Sequence, residues 1–69
     1  MSKTLDFKIF CFEAYKAHHK MKGRDAMDLF KKYNVFEYLA SCYDVLHTTG
    51  REYIIEEIDK YINARKKTA

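Results

Sequence analysis

The stretch that decides the fold is LDFKIFCFEAYKAHH, residues 5–19. Its apolar residues recur at helical spacing, and neither proline nor glycine interrupts them. On a helical wheel, one broad apolar side carries Phe7, Phe10, Cys11, Ala14 and Tyr15. A second apolar strip, called here the second strip, consists of Leu5, Ile9 and Phe12. An ordinary surface helix has one apolar stripe, so this helix either lies at the centre of the fold or makes a second contact.

Three further segments, about 24–33, 36–47 and 50–64, continue the helical periodicity. Asn34 separates the first two, because asparagine tolerates the left-handed conformation in which helices end. Residues 65–69 are polar and basic, and we expect them to fray. The sequence therefore predicts one all-α domain over 1–69, a compact bundle of three to four helices with an ordered core at about 4–64.

The composition points to a helical domain with a large apolar content. Of 69 residues, 48% are apolar and eleven are Phe or Tyr, yet a domain this small buries only about 60% of its unfolded surface. No stretch is long enough to span a bilayer, and the N-terminal MSKTLDFKIF lacks the form of a signal peptide. We expect a cytoplasmic protein in which Cys11 and Cys42 are buried, reduced thiols.

The segment YDVLHTTGREYI, residues 43–54, holds the residues closest in type to a catalytic site. Its polar residues, which we interpret as an interhelix joint, are Asp44, His47, Thr48, Thr49, Gly50 and Glu52. The spacing from Thr49 to Glu52 predicts a capping box. An acid three residues before a histidine is half of a catalytic triad, but no nucleophile or oxyanion site accompanies it. We therefore predict a protein that is not an enzyme.

Basic charge is concentrated in one turn and one tail, which leaves nucleic-acid binding as an alternative function. The residues that would contact phosphates are Lys16, Lys20, Lys22, Arg24, Arg65, Lys66 and Lys67. Helix 36–47 instead carries Glu37, Ser41 and Asp44 on its outer face, which argues against base readout by that helix. The three histidines lack metal-ligand spacing, and no cofactor motif is present, so we expect no metal and no cofactor.

Four strings of the sequence together resemble a known family: LDFKIFCFEAYK (5–16), LFKKYNVFEYL (29–39), YDVLHTTGREYI (43–54) and EEIDKYI (56–62). It is a family of small bacterial proteins of unknown function, and the similarity extends over about 5–62. The most specific part is the run Y-D-x-L-H-T-x-G-x-x-Y-I. The resemblance implies an accessory or neutralising partner, because such proteins are encoded beside ADP-ribosyltransferase-like proteins in an arrangement typical of toxin–antitoxin pairs. It also implies a small polar cap before Gly23, where this chain has Lys22.

The leading functional hypothesis is a protein-interaction module. In this interpretation Leu5, Ile9 and Phe12 contact a partner protein or a second copy of the chain, and Tyr53 serves as an aromatic anchor. The alternative, that both apolar sides of the first helix are core, stays open at this point.

Overall fold

The computed structural model describes residues 2–68, apart from the Thr68 side chain. Within that range the chain forms five helices and no strand: α1 Lys3–His18, α2 Gly23–Lys32, α3 Val35–Ser41, α4 Tyr43–Leu46 and α5 Arg51–Thr68. The predicted all-α bundle is confirmed, with one helix more than the three to four that we expected. The bundle measures 31 × 24 × 21 Å along its three principal axes.

The first helix starts two residues before the predicted segment and ends at His18. The Ser2 hydroxyl caps it by accepting hydrogen bonds from the backbone N–H groups of Thr4 and Leu5, at 3.2 and 3.4 Å. Such a cap satisfies donors that have no partner inside the helix. After the helix, Lys20 adopts a left-handed conformation with φ 53° and turns the chain towards α2.

The turn between α2 and α3 depends on Asn34, which has φ 55° and ψ 41°. The sequence prediction at this residue is confirmed. At the other end of α2, Lys22 is the N-cap and makes no side-chain hydrogen bond to the helix. The small polar cap that the family resemblance implied is therefore replaced here by a residue that leaves the first N–H groups of α2 without a side-chain partner.

The predicted helix 36–47 is wrong as a single helix, because it breaks at Cys42 into α3 and α4. Cys42 has φ −103° and ψ 13°, outside the helical region. No proline or glycine lies there, so we attribute the break to tertiary packing. Beyond it, the Tyr43 ring meets Phe7 edge-on at 5.4 Å, and Leu46 is buried.

The last helix continues to Thr68, so the predicted helix end at Ala64 is wrong. The basic residues Arg65, Lys66 and Lys67 lie in its last turn, where positive charge is favoured by the negative end of the helix dipole. The Arg65 guanidinium also lies 4.6 Å from the centre of the Tyr61 ring, a cation–π contact.

One core lies between α1, the α2–α3 pair and α5. Its buried residues are Cys11, Ala14, Tyr15, Phe30, Val35, Leu39, Leu46, Ile54, Ile55, Ile58 and Ile62. The predicted inner side of α1 is confirmed at Cys11, Ala14 and Tyr15, and Phe7 is partly buried. Phe10 was wrongly placed there, because 49% of it is exposed.

Both cysteines are free thiols, as predicted, but they differ in burial. Cys11 is fully buried, and burial raises the pKa of its thiol from 9.0 to about 12. Cys42 is only partly buried, so the expectation of two buried thiols holds for Cys11 alone.

The strained turn at Lys20 makes Lys20→Gly a stabilising substitution. A residue with a side chain is destabilised by about 1–2 kcal/mol in the left-handed region, and glycine removes this cost. Part of the gain is offset, because glycine loses more backbone entropy on folding. We expect the unfolding free energy to rise by about 0.5–1 kcal/mol, measured by urea denaturation. Lys20→Ala is the matched control, since it removes the same side chain but keeps the strain. An equal gain in both variants would contradict a backbone cause.

The burial of Cys11 predicts a loss of stability at alkaline pH. Below pH 9 its thiol is protonated in both states. Between about pH 9 and 12 the unfolded chain forms the thiolate while the folded chain keeps the proton, so unfolding is favoured as pH rises. The slope approaches about 1.4 kcal/mol per pH unit, and Tyr15, whose pKa is also raised, adds to it at the upper end. Denaturation of Cys11→Ala at several pH values should show a shallower slope; an unchanged slope would refute the assignment.

Candidate interaction surfaces

The second strip of α1 is divided between the surface and the core. Leu5 and Ile9, one helical turn apart, are 49% and 52% exposed. Phe12 instead packs against the core, where its ring meets Phe30 edge-on at 5.3 Å. The prediction that Phe12 faces outward with Leu5 and Ile9 is therefore wrong, and the exposed surface that remains is called here the Leu5–Ile9 patch.

An ion pair borders the Leu5–Ile9 patch on the next turn of α1. The Lys16 ammonium lies 3.0 Å from the Glu13 carboxylate and 5.9 Å from the centre of the Phe12 ring. Exposed pairs of this type contribute little to stability, but they fix where charge lies around an apolar surface. Lys16 is one of the predicted phosphate contacts, and in the structure it forms this ion pair.

Tyr53, the predicted aromatic anchor, is 47% exposed on α5. Burial is the main cause that raises the pKa of Tyr38 on α3, and the charges of Cys42, Glu57, Tyr53 and Tyr61 add smaller contributions. Another part of α5 contacts α1 through Asp59. Tyr53 thus lies on a different helix from the Leu5–Ile9 patch.

In the joint before α5, two threonine hydroxyls donate hydrogen bonds to backbone carbonyls three residues earlier in the chain. Thr48 donates to the carbonyl of Val45 at 3.1 Å, and Thr49 donates to the carbonyl of Leu46 at 2.7 Å. These carbonyls lie at the C-terminal end of a helix, where they have no helical partner. The predicted capping box from Thr49 to Glu52 is therefore wrong, because the Thr49 hydroxyl serves the end of α4 rather than the start of α5.

His47 is held by the residue one turn before it and not by Asp44. Its Nδ1 lies 2.6 Å from the carbonyl oxygen of Tyr43, so this nitrogen carries the proton. The His47 and Tyr43 rings also stack, with centres 4.3 Å apart and planes 4° from parallel. Within residues 2–68, Asp44 makes no hydrogen bond to His47, so the acid–histidine pair that half of a triad requires is not formed.

The joint also contacts α1 directly. The Arg51 guanidinium donates to the backbone carbonyl of Ala14 at 3.4 Å. Val45, in the short helix before the joint, is 67% exposed. Val45 directly precedes the buried Leu46 but lies about 100° from it around the helix axis, so it faces outward.

A polar cluster that the sequence prediction missed joins α1 to α5. The Tyr15 hydroxyl donates to one oxygen of Asp59 at 2.7 Å, and His19 Nε2 lies 3.1 Å from the other oxygen. Burial, followed by this hydrogen bond and the carboxylate charge, raises the pKa of Tyr15 above its ordinary value. The cluster joins residues 40 and 44 positions apart, a proximity that helical periodicity does not reveal.

An open groove of about 260 Å³ lies between α3 and α5. Its lining residues are Asn34, Glu37, Tyr38, Ser41, Tyr61 and Arg65. The Tyr38 and Tyr61 rings stack with centres 4.1 Å apart, and Arg65 lies over Tyr61. These contacts cover ring faces that a planar ligand would need, and the groove is smaller than most ligand pockets. In the described part of the chain, no group of three potential ligand residues could hold a metal ion.

The basic residues are mostly exposed at the turn between α1 and α2 and along the last turn of α5. Lys20, Lys22 and Arg24 are exposed in the former, and Lys66 and Lys67 in the latter. None of the helices within 2–68 combines the length and apolar character needed to cross a membrane.

The comparisons with known proteins identify the family but no function. No curated protein and no solved structure matches the chain. A family model described as "Protein of unknown function (DUF3791)" matches residues 6–65, close to the 5–62 over which the sequence resembled an uncharacterised family. Since the match covers most of the 69 residues, the chain belongs to the DUF3791 family of proteins of unknown function.

Proposed function

We propose that this chain is a protein-interaction module and that the Leu5–Ile9 patch is its binding surface. The observation that carries the proposal is the exposure of two large aliphatic side chains, at 49% and 52%, on a helix whose opposite face builds the core. A single exposed aliphatic residue needs no explanation, but two adjacent ones on one helix face favour a contact.

None of the other described helices covers the patch. Helix α1 packs against α2, α3 and α5 through its inner side, where Cys11, Ala14 and Tyr15 are buried. Phe12 brings the edge of the second strip into the same core. Leu5 and Ile9 therefore remain exposed after every described helix has been packed.

The patch gives the interface an apolar centre rather than its whole area. Complete burial of one aliphatic side chain contributes about 1.5–3 kcal/mol, and roughly half of that remains available at each of the two residues. A stable complex needs more surface than this, with a polar rim around the centre. Asp6 and Glu13 are exposed near the patch and would supply part of such a rim.

The partner in this proposal is a different protein or a second copy of the chain. The sequence resemblance to bacterial proteins encoded beside ADP-ribosyltransferase-like proteins makes such a protein the first partner to test. In that case the chain would act as an accessory or antitoxin-like partner and would need no catalytic residues of its own.

The variant Ile9→Glu tests the proposal. A charge at the centre of the patch should abolish association, because the carboxylate would have to be buried against the partner. We expect the far-ultraviolet circular dichroism of the variant to match that of the unmodified chain. Light scattering after size exclusion gives the mass of the purified chain, and a pull-down with the unmodified chain and the variant detects a different partner.

Val45→Glu is the matched control, since Val45 is even more exposed but lies on α4. It should leave association unchanged. The proposal fails if Ile9→Glu unfolds the chain, because Ile9 would then belong to the core. It also fails if the unmodified chain is monomeric and captures no protein that the variant loses.

A further inference from the structure

Basic residues that are distant in sequence lie at both ends of α2 and on the C-terminal part of α5, a surface called here the basic end. Its residues are Lys20, Lys22, Arg24, Lys31, Lys32, Arg65, Lys66 and Lys67. The contact between His19 and Asp59 places the α1–α2 turn beside the middle of α5. The hydrogen bond from the Tyr61 hydroxyl to the carbonyl of Tyr33, 2.8 Å long, places the end of α2 beside Tyr61, two residues after Asp59 on α5.

Helix α5 then extends past these contacts. Seven residues separate Tyr61 from Thr68, the last residue of α5, which corresponds to about 10 Å of helix. Lys66 and Lys67 are exposed on this extension, and Lys31 and Lys32 are exposed in the last turn of α2. The two lysines of α2 were not among the phosphate contacts predicted from the sequence.

The basic end holds a net positive charge although acids are also present. Eight of the thirteen basic residues lie there, against four of the ten acids: Asp25, Asp28, Glu37 and Asp59. Both oxygens of Asp59 are already engaged by Tyr15 and His19. The rest of the chain has five bases and six acids, so the positive charge of the protein is concentrated at this end.

We propose that the basic end binds the phosphate backbone of nucleic acid. The five half-exposed large apolar residues, Leu5, Ile9, Phe10, Val45 and Tyr53, all lie outside the basic end. This end therefore lacks the apolar or aromatic anchors that dominate protein interfaces. Flexible lysines around a helix end suit phosphate groups instead, as point charges that need no fixed geometry.

The aromatic rings described at this surface are engaged with each other and with basic side chains. Tyr38 and Tyr61 stack on each other, and Arg65 lies over Tyr61, so these rings offer no open platform for a base. Lys32 lies 5.4 Å from the centre of the Tyr33 ring. Binding through phosphates alone is independent of sequence and strongly dependent on salt.

This proposal stands apart from the proposed function. Leu5 and Ile9 lie thirteen and nine residues before His18 on α1, so about 14–20 Å of helix separates the Leu5–Ile9 patch from the α1–α2 turn of the basic end. Ile9→Glu should therefore leave nucleic-acid binding intact, and neutralising the basic end should leave protein association intact. Failure of one proposal can be told from failure of the other.

Fluorescence anisotropy with two labelled DNA duplexes of unrelated sequence tests the inference. With about five phosphates neutralised, affinity should fall about 500-fold when salt rises from 50 to 200 mM, equally for both duplexes. Lys31→Gln combined with Lys32→Gln should weaken binding at 50 mM salt and reduce the slope of log K against log salt by about 2. Lys3→Gln combined with Lys8→Gln, at the other end of α1, should leave the slope unchanged.

Three results would overturn the inference. The first is no binding of either duplex at 50 mM salt. The second is an equal loss of affinity in the Lys3 and Lys8 control variant, which would show that binding follows overall charge rather than the basic end. The third is displacement of the duplex by poly-glutamate at equal charge concentration, which would assign the surface to acidic protein segments.

Discussion

The structure depends on one constraint: helix α1 is apolar on two sides, and the other described helices cover one side and only Phe12 of the other. Cys11, Ala14 and Tyr15 form the side on which α2, α3 and α5 meet. The rings of Phe12 and Tyr15 both pack on Phe30, at 5.3 and 5.4 Å, so α1 and α2 share an aromatic contact at the centre of the core. Because so short a chain has few further residues to bury, Leu5 and Ile9 stay at the surface.

Three polar contacts hold the helices around this core. Asp59 joins α1 to α5, Arg51 donates to the carbonyl of Ala14, and Tyr61 donates to the carbonyl of Tyr33. Each is at least partly buried, where a hydrogen bond is screened less by water than at the surface. Together they orient α5 so that its basic C-terminal turns extend past α2, while the Leu5–Ile9 patch remains open on the far side of α1. The same contacts therefore position both proposed surfaces.

Sequence periodicity was sufficient for the helices and most of their inner faces, because burial in a helical bundle repeats with the helical turn. Asn34 was predictable as well, since few residue types tolerate a left-handed turn. The rotation of α1 about its axis was not predictable, and it decided that Phe12 is packed while Phe10 is exposed. The break at Cys42 and the Asp59 cluster likewise follow from tertiary contacts that have no local signal. The basic end could not be predicted as one surface, because it depends on how α5 runs past α2, which the sequence pattern does not reveal.

The most direct test of the central claim compares the unfolding free energies of Ile9→Ala and Phe12→Ala in the isolated chain. A helical wheel places both residues on one strip, whereas the structure places Ile9 at the surface and Phe12 against Phe30. We predict a loss below about 1 kcal/mol for Ile9→Ala and of about 3 kcal/mol for Phe12→Ala. Equal losses of about 3 kcal/mol would show that the whole strip is core and would contradict the account.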